Sequence, residues 1–145
     1  MNVENQVILE FPSRSANEGF ARTAAACFAA QLDPTLDEIN DIKTAVSEAV
    51  TNAIVHAYPE TLGKISLKLR IRDDRCLEII VRDWGIGIAD IAQARTPMFT
   101  TGSEDRSGMG FTIMESFMDT VKVRSTPNKG TTVTLRRKIA RRLSR

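Results

Sequence analysis

Residues 65–82 carry a pattern that only a sheet with one buried face satisfies. Ile65, Leu67, Leu69 and Ile71 alternate with Ser66, Lys68, Arg70 and Arg72, and after Asp73-Asp74 the alternation resumes with Leu77, Ile79 and Val81. Successive side chains of a strand point to opposite faces, so both runs present one apolar and one wet face. The apolar face has to be covered by a second layer, and the rest of the chain supplies helices for it.

Val7, Leu9 and Phe11 alternate up to Pro12, which predicts an edge strand. The alanines of residues 17–32, with Phe20, Cys27 and Phe28, predict a helix that Asp33-Pro34 stops. Thr35 and Glu38 have the spacing of a capping box. The helix they open is expected to run to about Ala57, with Leu36, Ile39, Ile42, Val46, Val50 and Ile54 facing the core. Residues 88–107 have no long periodic run. Gly108 then opens a helix carrying Phe111, Met114, Phe117 and Met118. A last hairpin pairs 121–123 with 132–135 across Pro127-Asn-Lys-Gly130. The order predicts an α+β fold: a two-layer α/β sandwich with helices on one face of a mixed, mostly antiparallel sheet. A single domain is expected over 1–145, with no repeat and no linker.

At 145 residues the chain is long enough for a real core, and a net charge of +2 is too small to imply nucleic acid as a partner. The basic excess gathers in 136–145, read here as a solvated terminus. The two cysteines, Cys27 and Cys76, read as small core residues, and no CxxC spacing suggests zinc or a redox pair. The first residues are unlike a signal peptide, and no apolar run approaches the ~18 residues of a spanning helix. A cytoplasmic protein without membrane contact is expected.

Three short segments carry chemistry. Glu48, Asn52 and His56 stand at i, i+4, i+8 and share a helix face. An Asn oxygen there suits Mg²⁺, which takes few protein ligands and keeps waters and phosphate oxygens. A carboxylate one turn earlier suits a base that orients a hydroxyl or water toward a γ-phosphate. Taken alone, the same residues read more readily as the polar face of an amphipathic helix, and His56 is read as structural. Asp83 ends a buried strand before Gly85 and Gly87, where a carboxylate can accept a hydrogen bond from an adenine amino group. Gly108 and Gly110 open a helix whose free N–H groups favour an anion, with Arg106 within reach of a terminal phosphate. Neither a P-loop nor a GxGxxG is present. Together the segments predict a site for ATP and a divalent metal.

In this order the segments resemble the Bergerat-fold ATP-binding superfamily, which includes gyrase-type, chaperone-type and mismatch-repair ATPases and histidine kinases. Glu48…Asn52 matches its N box, Asp83-x-Gly85-x-Gly87 its first glycine box and Gly108-x-Gly110 its second. Gly130-Thr131 resembles its late Gly-Thr element, which implies that Thr131 supports Asp83. Ser47–His56, Pro97–Thr101 and Arg106–Met114 are similar to the anti-sigma factor serine kinases, most of all to their sporulation branch. That resemblance implies a cytoplasmic homodimer that blocks a sporulation sigma factor (sigma F-like) and phosphorylates a serine of an anti-anti-sigma protein with MgATP. ADP would favour holding the unphosphorylated partner. By position it gives Glu48 as base, Asn52 as Mg²⁺ ligand, Asp83 as adenine ligand and Arg22 as partner-binding residue. Ala57 departs from the glycine often found there. A general-stress anti-sigma kinase and a detached histidine-kinase-type ATPase domain are the alternatives; the second would need an acceptor histidine from another domain.

Overall fold

The computed structural model describes residues 2–95 and 110–141. Its elements run β1 (Val3–Pro12), α1 (Ala16–Ala29), a 3₁₀ turn (Ala30–Leu32), α2 (Leu36–Asn52), a π-helical turn (Ala53–Ala57), β2 (Lys64–Arg72), β3 (Cys76–Asp83), α3 (Ile91–Ala94), α4 (Gly110–Phe117), β4 (Thr120–Thr126) and β5 (Gly130–Lys138). The strands form one 5-stranded sheet in the order β1-β2-β3-β5-β4. Every described pairing is antiparallel, so the sheet expected as mixed is antiparallel throughout its described ladders.

Helices cover one face. Ala21, Ala25 and Ala29 of α1 are fully buried, and their small side chains let α1 lie close against α2. The Thr35 hydroxyl accepts from the Glu38 N–H at 3.1 Å while Glu38 Oε1 accepts from the Thr35 N–H at 2.8 Å, closing the expected capping box. Beyond it Ile42, Val46 and Val50 sink into the core with Ile65, Leu67, Leu69, Leu77, Ile79 and Leu135. Each such side chain contributes about 1.5–3 kcal/mol by leaving water. α4 lies on the other flank of α2 and adds Phe111 and Met114.

Some expected core residues are not there. Leu36 is 75% exposed, because the first helical residue projects before α2 reaches the sheet. Cys27, expected in the core, lies on the outer face of α1 opposite the buried alanines, as does Phe20 seven positions before it. Cys76 is only partly buried at the start of β3. The basic stretch at 136–145 is not simply a solvated end, since Arg136, Arg137 and Lys138 belong to β5. Arg137 donates to Asp41 Oδ2 at 2.9 Å and to the Phe117 carbonyl at 2.7 Å, joining β5 to α2 and α4.

The outer face of the sheet holds a charged cluster. Arg70, Glu78 and Arg136 are register neighbours on β2, β3 and β5. Glu78 is only 2% exposed, with Arg136 Nε at 2.7 Å, Arg70 Nη1 at 3.3 Å and Arg72 Nη1 at 3.5 Å. Burial pushes its carboxyl up, but the Arg136 hydrogen bond and charge, with Arg72 and Arg70, outweigh that and hold it below the usual range. Glu78→Gln is expected to lower stability by about 1–3 kcal/mol at pH 7, the scale of a buried charged hydrogen bond. A depressed carboxyl stabilises above its unfolded value of about 4.3 and stops doing so as pH falls through its folded value. Urea unfolding of both proteins should therefore differ at pH 7 and converge in strong acid.

Candidate nucleotide site

Asp83, Gly85, Gly87 and Thr131 come together where β3 leaves the sheet beside the end of α2. Asp83 is 6% exposed. Its Oδ1 accepts from the Gly85 N–H at 3.0 Å and from the Thr131 N–H at 3.2 Å. Both described bonds fall on Oδ1, so Oδ2 is the oxygen that the described residues leave for a ligand. Burial raises the Asp83 pKa, and the Gly85 and Thr131 N–H groups offset this only in part. A carboxylate held in this way gains from any ligand donor that reaches it.

The segment after Asp83 is fastened on all sides. The Tyr58 hydroxyl accepts from the Trp84 N–H at 2.8 Å and donates to the Lys64 carbonyl at 2.6 Å. Ile86 N–H donates at 3.0 Å to the carbonyl of Ala57, the last residue of the π-helical turn. A Cβ on Gly85 would strike that same carbonyl, so the helix end and the strand exit touch through bare backbone. Gly87 has φ +75° and lies against the Thr126 carbonyl, while Gly130 has φ +120° and lies against the Asp83 carbonyl. Both positions combine a left-handed backbone with no room for a side chain. Asn128 N–H donates to the Ile86 carbonyl at 2.7 Å, clamping the β4–β5 turn to the strand exit.

Glu48 and Asn52 lie one turn apart on α2, as expected, and Gly110 is set against both. A Cβ on Gly110 would lie 3.1–3.2 Å from the Asn52 amide and 3.4 Å from Glu48 Oε1. The start of α4, where a helix leaves its first N–H groups without intrahelical partners, thus faces the two side chains predicted for metal and base. Arg106 and Gly108 lie outside the described residues. His56 sits within the π-helical turn. Among the described residues no group of three or more His, Cys, Asp or Glu could hold a metal ion. Asn52 beside an anion-favouring helix start fits Mg²⁺, which completes its shell with phosphate and water.

On the side of α2 toward α1, a cleft of about 320 Å³ is lined by Arg22, Asn40, Lys43, Thr44, Ser47 and Glu48. Arg22 Nε pairs with Glu18 Oε2 at 3.1 Å. Glu48 therefore borders both the α4 side of the site and a polar cleft that contains Arg22. Sequence reasoning missed Tyr58, whose only signal is its place at a helix end, and Ser125, which the hairpin register places beside Thr131.

The comparisons agree with this geometry. The family described as histidine kinase-like ATPase domain matches residues 11–137, and the chain belongs to that family. Anti-sigma F factors of Geobacillus kaustophilus and Bacillus subtilis are 55% and 50% identical to it over 141 residues, 96% of this chain and of each relative. That of Geobacillus stearothermophilus is 56% identical over 137 residues, 93% of each. Within the family, the chain belongs with the anti-sigma F factors. A solved structure of the RsbU and RsbW domains of Rv1364c from Mycobacterium tuberculosis superposes with a TM-score of 0.68 at 20% identity, covering 94% of this chain and 32% of that one. ShkA, solved in complex with AMPPNP, gives 0.58 at 20% identity over 88% of this chain and 31% of its own. At these identities the structural likeness speaks for the fold. No helix among the described residues is long and apolar enough to cross a membrane.

Proposed function

We propose that this chain is an anti-sigma factor that binds and blocks a sporulation sigma factor, and a kinase that phosphorylates a serine of an anti-anti-sigma partner. The observation that carries the reading is the position of Glu48. It borders the α4 start, where the terminal phosphate is proposed to lie, and also the cleft containing Arg22, through which a partner serine can enter. The high identity to anti-sigma F factors over nearly the whole chain supports the choice of partners.

In the proposed reaction Asp83 Oδ2 accepts from the adenine amino group, and Asn52 would hold Mg²⁺. Bound Mg²⁺ supplies charge neutralisation for the phosphates. Glu48 takes the proton of the serine hydroxyl as its oxygen bonds to the γ-phosphorus. The bond from that phosphorus to the β–γ bridging oxygen breaks, and ADP leaves. Arg106, Gly108 and Gly110 are assigned to the terminal phosphates. The protein works in the cytoplasm as a homodimer, without direct contact to nucleic acid.

Arg22 is assigned to the partner surface. Arg22→Glu places a second carboxylate beside Glu18 and reverses the charge of the cleft wall. Affinity for the sigma factor and for the anti-anti-sigma protein should fall about 10-fold or more, while ATP affinity stays unchanged. Calorimetric titration with each partner, beside a nucleotide titration, tests the whole reading. Loss of partner and nucleotide binding together would mean a folding defect, and unchanged partner binding would move the interface away from this cleft.

A further inference from the structure

One register row crosses the helix-facing side of the sheet from Ile65 on β2 through Asp83 on β3 and Thr131 on β5 to Ser125 on β4. Side chains opposite one another in such a row are within direct reach. Ser125 Oγ lies 2.8 Å from Thr131 Oγ1, 3.0 Å from the Gly130 carbonyl oxygen and 2.7 Å from the Ile88 backbone nitrogen. The partly buried hydroxyl is thus the meeting point of the adenine-side threonine, the turn glycine and the chain leaving the strand exit.

The proton count at this point decides a polarity. A serine hydroxyl has one proton to give and two lone pairs to receive. The Ile88 N–H can only donate, so it occupies one lone pair. The Gly130 carbonyl can only accept, so it is satisfied by the serine proton. The remaining lone pair then takes the Thr131 hydroxyl proton, and all three contacts are hydrogen bonds. In the opposite arrangement Ser125 donates to Thr131 and its contact with the Gly130 carbonyl has no proton. The fully bonded arrangement turns the Thr131 proton away from the pocket and leaves its oxygen as an acceptor beside Asp83.

We infer that Ser125 is a specificity-determining positioning residue that fixes Thr131 as a hydrogen-bond acceptor. The inference rests on the ATP-site reading above. With Asp83 Oδ2 also accepting, both of these described groups meet the substituent on the six-position edge of a purine as acceptors. A 6-amino purine brings two N–H donors to that edge, whereas a 6-oxo purine brings a carbonyl oxygen that finds no donor in either. Without Ser125 the Thr131 hydroxyl is free to rotate and donate, so a 6-oxo purine is no longer rejected as strongly.

The test compares ATP with inosine triphosphate, which differ at that edge, on the full chain. Trp84, the single tryptophan, adjoins Asp83 and serves as the fluorescent reporter of binding. Wild type is expected to prefer ATP. Ser125→Ala should shrink the ratio of the two dissociation constants about 10-fold, the size of one net hydrogen bond. Ser125→Thr, which restores a hydroxyl in a strand, should return the ratio to within about twofold of wild type. Thr131→Val should lose the same preference, and adding Ser125→Ala to it should change nothing further. An unchanged ratio in Ser125→Ala, or an equal further loss in the Thr131→Val background, would overturn the inference. A wild-type protein that binds no ATP would instead refute the ATP site itself, and this inference with it, before any variant is made.

Discussion

Asp83→Asn is expected to weaken ATP binding about 100-fold or more, while the nucleotide-free protein at pH 7 becomes no less stable. The two halves follow from the two oxygens. The Asn carbonyl oxygen keeps the bonds that Oδ1 accepts from the Gly85 and Thr131 N–H groups, so the strand exit stays in place. The other oxygen becomes an NH₂, a donor facing the adenine amino group. The stability half follows from the raised pKa, which burial causes. A carboxyl raised in the fold stabilises below its unfolded value of about 3.9, and that contribution is lost as pH rises through the folded value. At pH 7 the ionised Asp83 is therefore a cost to the empty protein, and the neutral amide removes it. Thermal melts without nucleotide should place the variant at or above wild type at pH 7, with the gap closing toward pH 4. A clear drop at pH 7 would mean that the charge itself holds the fold together.

Glu48→Gln is expected to separate binding from chemistry. The amide has the shape of the carboxylate and keeps the packing against Gly110, so ATP affinity should remain within about twofold. Gln cannot take up the serine proton, and removing a general base costs ~10²–10⁴-fold in rate. Single-turnover transfer from saturating ATP to the anti-anti-sigma protein measures this directly. Transfer at the wild-type rate would require another residue as base. Because Glu48 also lines the cleft with Arg22, partner affinity must be measured in the same variant to show that slow transfer is not lost docking.

Much of the fold was legible because strands with one wet face write their orientation into the sequence. The runs at 65–71 and 77–81 became β2 and β3, and the capping box placed the start of α2 correctly. Packing on helices was less legible. Nothing local tells Phe20 and Cys27 that the other side of α1, lined with alanine, faces inward, or tells Leu36 that the core begins a turn later. A run of arginines reads as solvated until a ladder pairs it: pairing with β3 takes Arg136 and Arg137 into β5, and Glu78 and Asp41 are their distant side-chain partners.

The placement of the candidate site residues was legible where chemistry and spacing coincide within one segment, as at Glu48 and Asn52 or from Asp83 to Gly87. It was not legible where the partner arrives from another strand. Ser125 meets Thr131 only because Thr126 pairs with Gly130 and sets the hairpin register. Tyr58 meets Trp84 only because the π-helical turn ends beside β3. Such contacts are products of register and crossing geometry, which a single chain read along its length does not contain.

The central claim is transfer of the γ-phosphate of ATP to a serine on another protein. It is tested most directly by incubating the chain with γ-labelled ATP, Mg²⁺ and an anti-anti-sigma protein, then mapping the label and its stability to acid. The expected result is acid-stable phosphoserine on the partner, formed in step with ADP. Acid-labile label on a histidine, or ADP release with no labelled partner, would contradict it.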